Sequence, residues 1–148
     1  MLKSYKTELN PTPEQAEKIR QTVGVCRNVY NMFIHINKQR HKQGLRFMSG
    51  YDFSKWLNNE YLRQNPEKTW IKQVSSKAVK QAVMDADRAF KKFFKKQAGY
   101  PRFKKKGRTD PKAYLPNGHY DHTHALIEIQ RHRIKLPTLG WVRLKEKG

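Results

Sequence analysis

The strongest constraint on the fold is a long helical signal that begins at Thr12. Thr12 stands where a helix N-cap belongs, Pro13 suits the first helical position, and Gln15 can reach back to complete a capping box. Apolar residues then follow at alternating spacings of three and four, which predicts an amphipathic helix that runs to Gly44. The predicted inward-facing residues are Ala16, Ile19, Val23, Cys26, Tyr30 and Phe33.

Two further helices are predicted along the chain. Residues 51–62 place apolar side chains at helical intervals, and Pro66 ends that pattern. Ser75 or Ser76 can cap the third helix, which ends near Gly99. The predicted inward-facing residues of this helix are Val79, Val83, Ala86, Phe90 and Phe93.

Both ends of the chain show strand character. Residues 2–9 alternate loosely, and three further β-rich segments follow near the other end, at 125–130, 132–136 and 141–145. The expected fold class is therefore α+β, with a small β-barrel or sheet built from both chain ends and interrupted by a three-helix lobe. The expected boundaries are 1–10 for the first strand, 11–98 for the helical lobe, 99–118 for a basic connecting loop and 119–148 for the remaining strands.

The charge of the chain points to a polyanionic partner. The sequence has 32 lysines and arginines against 12 acids, a formal net charge of +20 on 148 residues. Such a charge repels itself unless a partner neutralises it, and nucleic acid is the leading candidate. A membrane surface is disfavoured because the helices need their apolar faces for a core. No apolar run is long enough for a membrane span or a signal peptide, so a soluble, cytoplasmic protein is expected.

The basic residues concentrate between residues 88 and 112, where Asp110 is the one acid. In residues 99–108, cations suited to phosphate contact are interleaved with aromatic rings. Tyr100 and Phe103 either stack on bases or pack against the neighbouring core of the protein, and the sequence leaves both interpretations open. The predicted contacts to the nucleic-acid backbone are Arg88, Lys91, Lys95, Arg102, Lys104, Lys105, Lys106 and Arg108.

The sequence predicts neither a catalytic nor a metal site. Asp85 and Asp87 lie two residues apart on a helix, so they face different ways. Cys26 is the one cysteine, closes no intramolecular disulfide and suits a small core position. A small metal-dependent enzyme is a minor alternative, because four histidines could converge on a metal. These histidines, interpreted here as polar loop and strand residues, are His119, His122, His124 and His132.

Five segments together resemble the N-terminal portion of the TnpB (OrfB) family, transposon-encoded RNA-guided nucleases regarded as ancestors of type V CRISPR effectors. The segments occur in family order across essentially the whole chain, which makes the match more specific than any one of them. They are residues 6–15 (KTELNPTPEQ), 26–31 (CRNVYN), 81–94 (QAVMDADRAFKKFF), 99–104 (GYPRFK) and 134–143 (IKLPTLGWVR).

The resemblance implies a wedge-like β-barrel split by a helical recognition lobe, a region that older descriptions of the family label a helix-turn-helix transposase domain. It implies guide RNA and target DNA as partners, in a prokaryotic, nucleoid-associated protein. In the family, the RuvC-like nuclease domain with its metal-binding acids and a zinc ribbon lie downstream of this portion. This chain is therefore expected to be no enzyme by itself and to need neither magnesium nor zinc. A downstream nuclease chain is one candidate partner, and the sequence leaves open whether such a chain completes the protein.

The resemblance also suggests two site residues. In the family, a lysine and a glutamine one turn apart at the start of the third helix take part in reading the DNA motif, and Lys77 and Gln81 match their spacing and location. The alternative function is a stand-alone helix-turn-helix DNA-binding regulator, for which a dimer and a palindromic site are expected.

Overall fold

The chain folds into two compact units. The computed structural model describes residues 6–106, 113, 128–130, 132–136 and 138–145, with the backbone alone for 128–130. Residues 1–21 and 115–148 form one unit, here called the end unit, and residues 22–114 form the other, here called the helical unit. The boundaries expected from the sequence follow the ends of helices and loops, whereas this division falls inside the first helix.

The first helix, α1, spans Pro13–Lys42 and begins as predicted. The N–H of Thr12 donates to Oε1 of Gln15 (3.0 Å), and the N–H of Gln15 donates to Oγ1 of Thr12 (3.2 Å), which completes the capping box. Nε2 of Gln15 also donates to the carbonyl oxygens of Leu139 (3.3 Å) and Trp141 (2.8 Å). One side chain therefore caps α1 and ties its start to the strand region of the end unit.

The prediction of which α1 residues face inward is wrong in part. Of the predicted inward-facing residues, Cys26 and Phe33 are buried, whereas four are half-buried: Ala16, Ile19, Val23 and Tyr30. Apolar residues occur on more than one side of α1, so several lines of residues fit a spacing of three and four. The buried apolar residues of α1 are Val25, Cys26, Val29, Phe33 and Ile34.

Five further helical segments belong to the described part of the helical unit. Ser75 caps the last of them, because its Oγ accepts from the N–H of Ala78 at 3.5 Å. Pro66 begins a 3-10 helix where the sequence predicted an end, since a proline is tolerated at a first helical position. No helix of the described residues is long and apolar enough to cross a membrane. The bounds are Gly50–Trp56 for α2, Leu57–Tyr61 for a π-helical turn, Leu62–Gln64 for α3, Pro66–Gln73 for the 3-10 helix and Ser76–Phe94 for α4.

An aromatic core holds these helices together. Phe33 of α1 and Phe53 of α2 are fully buried, and their ring centroids lie 5.3 Å apart in an edge-to-face arrangement. Phe90 of α4 lies 5.8 Å from Phe33. Such pairs contribute about 0.5 to 1.5 kcal/mol each beyond the area that they bury. In α4 the predicted inward-facing residues are buried except Phe93, which is half-buried; the buried ones are Val79, Val83, Ala86 and Phe90.

A buried carboxylate fixes the start of α2 against α4. Asp87 is 2% exposed, its Oδ1 accepts from the N–H of Gly50 at 3.0 Å, and its Oδ2 lies 2.8 Å from Nζ of Lys91. A Cβ at Gly50 would meet Sδ of Met84 at 3.0 Å and Cβ of Asp87 at 3.3 Å. The close approach of the two helices therefore requires a residue without a side chain at position 50.

The end unit contains an antiparallel sheet. Its described strands are β1 (Leu9–Asn10), β2 (Glu128–Gln130), β3 (Arg133–Leu136) and β4 (Gly140–Leu144). They are ordered β1-β4-β3-β2, with Val142 of β4 fully buried. The sequence predicted either a small β-barrel or a sheet, and the described strands form an open sheet. The α+β class with a sheet built from both chain ends is confirmed. The first strand is shorter than predicted, and residues 2–5 lie outside the described residues.

Candidate nucleic-acid interface

The basic loop is anchored to α1 by the side-chain amide of Asn31. Nδ2 of Asn31 donates to the carbonyl oxygen of Lys104 at 2.8 Å, and Oδ1 of Asn31 accepts from the N–H of Lys104 at 2.7 Å. The amide thus satisfies both the backbone donor and the backbone acceptor of one residue, Lys104. We call this pair of bonds the Asn31 clasp, and it fixes the position of the loop backbone on the helix.

The ammonium group of Lys104 lies on an aromatic ring. Its Nζ is 4.2 Å from the centroid of the Tyr30 ring, and the residue is half-buried. Cation–π contacts contribute about 0.5 to 1 kcal/mol at exposed sites and more when they are desolvated. Lys104 therefore has a structural role next to the clasp, and its phosphate contact stays a prediction.

A groove lies between α1 and the basic loop. It has a volume of about 670 Å³. We call it the loop groove. Its lining residues are Tyr30, Ile34 and Lys38 of α1 and residues 100–105 of the loop.

Three cations line the loop groove without an acidic partner. Lys38, Arg102 and Lys105 are exposed, and none of them forms an ion pair with an acid of the described residues. Lys106, the next residue along the loop, is exposed as well and likewise has no such ion pair. The loop therefore presents positive charge that the described part of the chain leaves unneutralised.

Three of the predicted phosphate contacts lie on α4 or directly after it, and their surroundings differ. Lys91 pairs with the buried Asp87, so part of its charge serves to neutralise that carboxylate. Arg88 approaches Asp85 at 3.7 Å, a long contact between an exposed guanidinium and a half-buried carboxylate. Lys95 is exposed and has no ion pair with a described acid. The phosphate contacts of these three residues stay predictions.

The two aromatic rings of the loop have different neighbours. Tyr100 is 43% exposed and packs edge-on against Phe90 and Phe93, with ring centroids 5.5 and 5.2 Å apart. Phe103 is 44% exposed and contacts no aromatic ring of the described residues. The two predicted stacking residues are thus equally exposed, and Phe103 is the one whose ring makes no contact with another described ring.

Lys77 and Gln81 lie on α4, one turn apart. Lys77 is exposed at the rim of a second groove of about 590 Å³, which we call the α4 groove. Gln81 is half-buried, and its Nε2 donates to Oδ1 of Asp85 at 2.9 Å. The bond leaves Oε1 of Gln81 as an acceptor. The lining residues of the α4 groove are Ser54, Leu57, Asn58, Ile71, Lys72, Val74, Ser76, Lys77, Val79, Lys80 and Val83.

Burial keeps two groups near the loop groove neutral. Burial raises the pKa of the Cys26 thiol to about 11, and the nearby Lys104 ammonium lowers that pKa in part. Burial, and then the charge of Asp85, raise the pKa of Tyr30. At neutral pH Cys26 is therefore an unreactive thiol, and Tyr30 retains its hydroxyl proton.

Several predicted residues fall outside the described part of the chain. Arg108 is one of them, and so are three of the four histidines, His119, His122 and His124. Among the described residues, no three side chains of histidine, cysteine, aspartate or glutamate lie close enough to hold a metal ion. His132 is described and exposed.

Comparison with known proteins identifies the family. A family model, the OrfB-type helix-turn-helix domain, matches residues 1–46. InsQ of Escherichia coli (strain K12), provisionally named an RNA-guided DNA endonuclease, is 32% identical over 144 residues, which is 97% of this chain and 34% of InsQ. The chain belongs to the TnpB/OrfB family. It spans about a third of the length of InsQ.

Two further relatives match the TnpB/OrfB chain over most of its length. A protein of Streptomyces pristinaespiralis, also provisionally named an RNA-guided DNA endonuclease, is 31% identical over 102 residues, 69% of this chain and 25% of the relative. The virulence protein VsdF of Salmonella dublin is 36% identical over 115 residues, 72% of this chain and 95% of VsdF. The predicted resemblance is therefore confirmed.

Proposed function

We propose that this chain binds nucleic acid as the recognition portion of a transposon-associated, RNA-guided DNA endonuclease, with guide RNA and target DNA as its partners. The observation that carries the proposal is the Asn31 clasp, which fixes the loop in one place on α1; its cations Arg102, Lys105 and Lys106 form no ion pair with a described acid. A solvated linker needs no such anchor. Family membership supplies the type of partner, because two relatives are named as RNA-guided DNA endonucleases.

The arrangement of the first helices favours this function over a helix-turn-helix regulator. In a helix-turn-helix unit, a turn of about three or four residues joins two short helices. Here α1 is a single helix of 30 residues, and α2 begins after residues 43–49. The described part of the segment that matches the family domain holds β1 and α1.

The proposal assigns recognition rather than cleavage to these residues. Two-metal cleavage of a phosphodiester needs a cluster of acids that holds metal ions about 4 Å apart. Asp85 and Asp87 instead have separate partners, Gln81 and Gly50. Incubation of the purified chain with guide RNA and target DNA in magnesium is expected to leave the DNA intact. Metal-dependent cutting that survives purification would overturn this part of the proposal.

The salt dependence of RNA binding tests the proposal. Each neutralised phosphate contributes about −0.7 to the slope of log affinity against log salt on single strands and about −0.9 on duplex DNA. The triple variant Arg102→Gln, Lys105→Gln, Lys106→Gln is expected to weaken binding and to flatten the slope. The matched control removes three exposed charges elsewhere in the helical unit, by Lys42→Gln, Lys55→Gln and Arg63→Gln. Equal slopes for the two triple variants would contradict the proposed role of the loop.

A further inference from the structure

The loop groove combines an open aromatic ring, an apolar wall and unpaired cations. We propose that it is a binding site for one unpaired nucleotide of a single-stranded segment, with the base against Phe103 and the adjoining phosphates at Lys38, Arg102 and Lys105. The inference rests on the proposed function and assigns the form of nucleic acid that this groove takes.

The size and the walls of the groove suit a single base. Its volume of about 670 Å³ lies within the range of roughly 300 to 1,000 Å³ that is usual for small-molecule sites. Ile34 and Pro101 are buried and give the groove an apolar wall. A base has two apolar faces and a polar edge, so an apolar wall bordered by polar groups matches it.

Phe103 is the ring on which the base stacks. The side chain is 44% exposed, lines the groove and contacts no other ring of the described residues. Tyr100 in the same loop is 43% exposed, but its ring already packs edge-on against Phe90 and Phe93. Base–aromatic stacking tolerates any sequence, because every base has a π-face.

The cations explain why the ligand is a nucleotide rather than a neutral ring. Lys38 approaches from α1, and Arg102 and Lys105 flank Phe103 in the loop. Phosphates on either side of the stacked base would meet these cations. A paired base in a duplex lies inside the stack and cannot enter a groove, so the site selects single-stranded segments.

The groove is formed before the ligand arrives. The Asn31 clasp holds the backbone at Lys104, next to Phe103, and the ammonium group of Lys104 rests on the Tyr30 ring. The loop then loses little conformational freedom on binding, which favours affinity. Lys104 is thus part of the wall, and the neighbouring exposed cations carry the phosphate contacts.

Affinity measurements on the full chain test the site. The probes are a short single-stranded oligouridine, its DNA counterpart, a hairpin whose paired strands are joined by a linker without bases, and an abasic strand that keeps the phosphates but lacks the bases. Phe103→Leu retains an apolar side chain without an aromatic face, and Phe103→Tyr retains the face. Tyr51→Leu is the control, because Tyr51 is an exposed ring that does not line the groove.

Loss of one stacked base is expected to weaken single-strand binding roughly 5- to 150-fold in Phe103→Leu. Phe103→Tyr and Tyr51→Leu are expected to bind as the unchanged chain does. Hairpin and abasic-strand affinities are expected to be the same with and without Phe103→Leu, since neither probe offers a base to the ring. Comparing the affinity for oligouridine with that for its DNA counterpart shows whether the sugar contributes to binding, because the 2′-hydroxyl differs between the two sugars.

Two outcomes would overturn the inference. Equal weakening of single-strand and hairpin binding by Phe103→Leu would mean that the residue supports the loop and does not stack on a base. Undiminished single-strand binding in Phe103→Leu would remove the ring from the interface. In both cases the chain still binds nucleic acid and the proposed function stands, whereas an unchanged chain that binds no probe would contradict both.

Discussion

The helical unit carries two basic grooves that are built in different ways. The α4 groove lies on packed helices, and its apolar lining includes Leu57, Val79 and Val83, which are buried core residues. One side of the loop groove is a segment without regular secondary structure, and the Asn31 clasp holds that segment on α1. The shape of the first groove therefore depends on the core of the unit, and the shape of the second depends on one amide.

Because the two grooves are built differently, substitutions can affect the stability of the fold and the binding of nucleic acid separately. A groove formed by core residues can be lost only together with the fold around it. A groove formed by a clasped loop can open while the helices stay folded, because loops contribute few buried contacts. Substitutions that weaken the core should therefore affect both grooves, and substitutions at the clasp should affect one.

The largest effect on the free energy of unfolding is expected for Asp87→Ala, which weakens the packing of α2 on α4. The substitution leaves the N–H of Gly50 without its acceptor and Lys91 without its partner. An unsatisfied buried donor costs about 1 to 3 kcal/mol of the free energy of unfolding, measured by urea titration. Asp87→Asn keeps an acceptor oxygen for Gly50 and is expected to cost less. Equal losses for the two variants would show that the charge, rather than the hydrogen bond, holds α2.

The next effect concerns DNA recognition beside the α4 groove. Gln81→Ala is expected to cost about 1 to 3 kcal/mol of binding free energy on the preferred DNA motif and much less on scrambled DNA, measured with guide RNA present. Asp85→Ala should reproduce part of the loss, since the carboxylate of Asp85 orients the amide of Gln81. Equal weakening on both DNAs would assign Gln81 to backbone positioning. No weakening would make it a solvated residue of the helix face.

The clasp itself gives the third prediction. Asn31→Ala frees the loop backbone at Lys104, and reordering one residue on binding costs about 1 to 2 kcal/mol, so single-strand affinity should fall roughly 5- to 30-fold. The free energy of unfolding is expected to change less than in Asp87→Ala. Asn28→Ala, at an exposed amide of the same helix, is the matched control. A loss of stability equal to that of Asp87→Ala would erase the distinction between the two grooves.

The smallest effect is expected at Cys26, a buried residue of α1. Because burial raises the thiol pKa to about 11 from an ordinary value of 9.0, the folded chain should alkylate slowly at pH 8.5, whereas the urea-unfolded chain should react fast. The neutral thiol favours folding fully below pH 9, and this contribution is lost as the pH rises towards 11. Cys26→Ala should lack that part of the pH dependence. Rapid alkylation of the folded chain would show that α1 opens at this position.

Local patterns in the sequence predicted the elements well. The capping box at Thr12 and Gln15 and the cap at Ser75 are formed, because both depend on residues three positions apart. The buried residues of α4 were predicted correctly because apolar residues lie on one side of that helix. In α1, where apolar residues lie on several sides, the same reasoning placed Val23 inside wrongly.

The contacts that build the candidate sites were not predictable in this way. Asn31 and Lys104 are 73 residues apart, and Gly50 and Asp87 are 37 apart, so no local period connects them. One signal was present in the sequence, because Asn31 and Asn28 are amides among lysines and arginines on the face of α1 opposite the predicted inward-facing residues. The sequence also left the roles of the rings in the loop open, because the contacts of Tyr100 with Phe90 and Phe93 depend on how the loop folds back on α4.

Photochemical crosslinking tests the central claim, that nucleic acid binds at the loop groove, most directly. A single-stranded RNA that contains 4-thiouridine is bound to the full chain, irradiated and digested, and the crosslinked peptides are identified by mass spectrometry. The account predicts adducts within residues 99–106 and on the part of α1 that faces them, between Tyr30 and Lys38, with the loop adducts lost in Asn31→Ala. Adducts confined to other surfaces, such as residues 55–73, would contradict it.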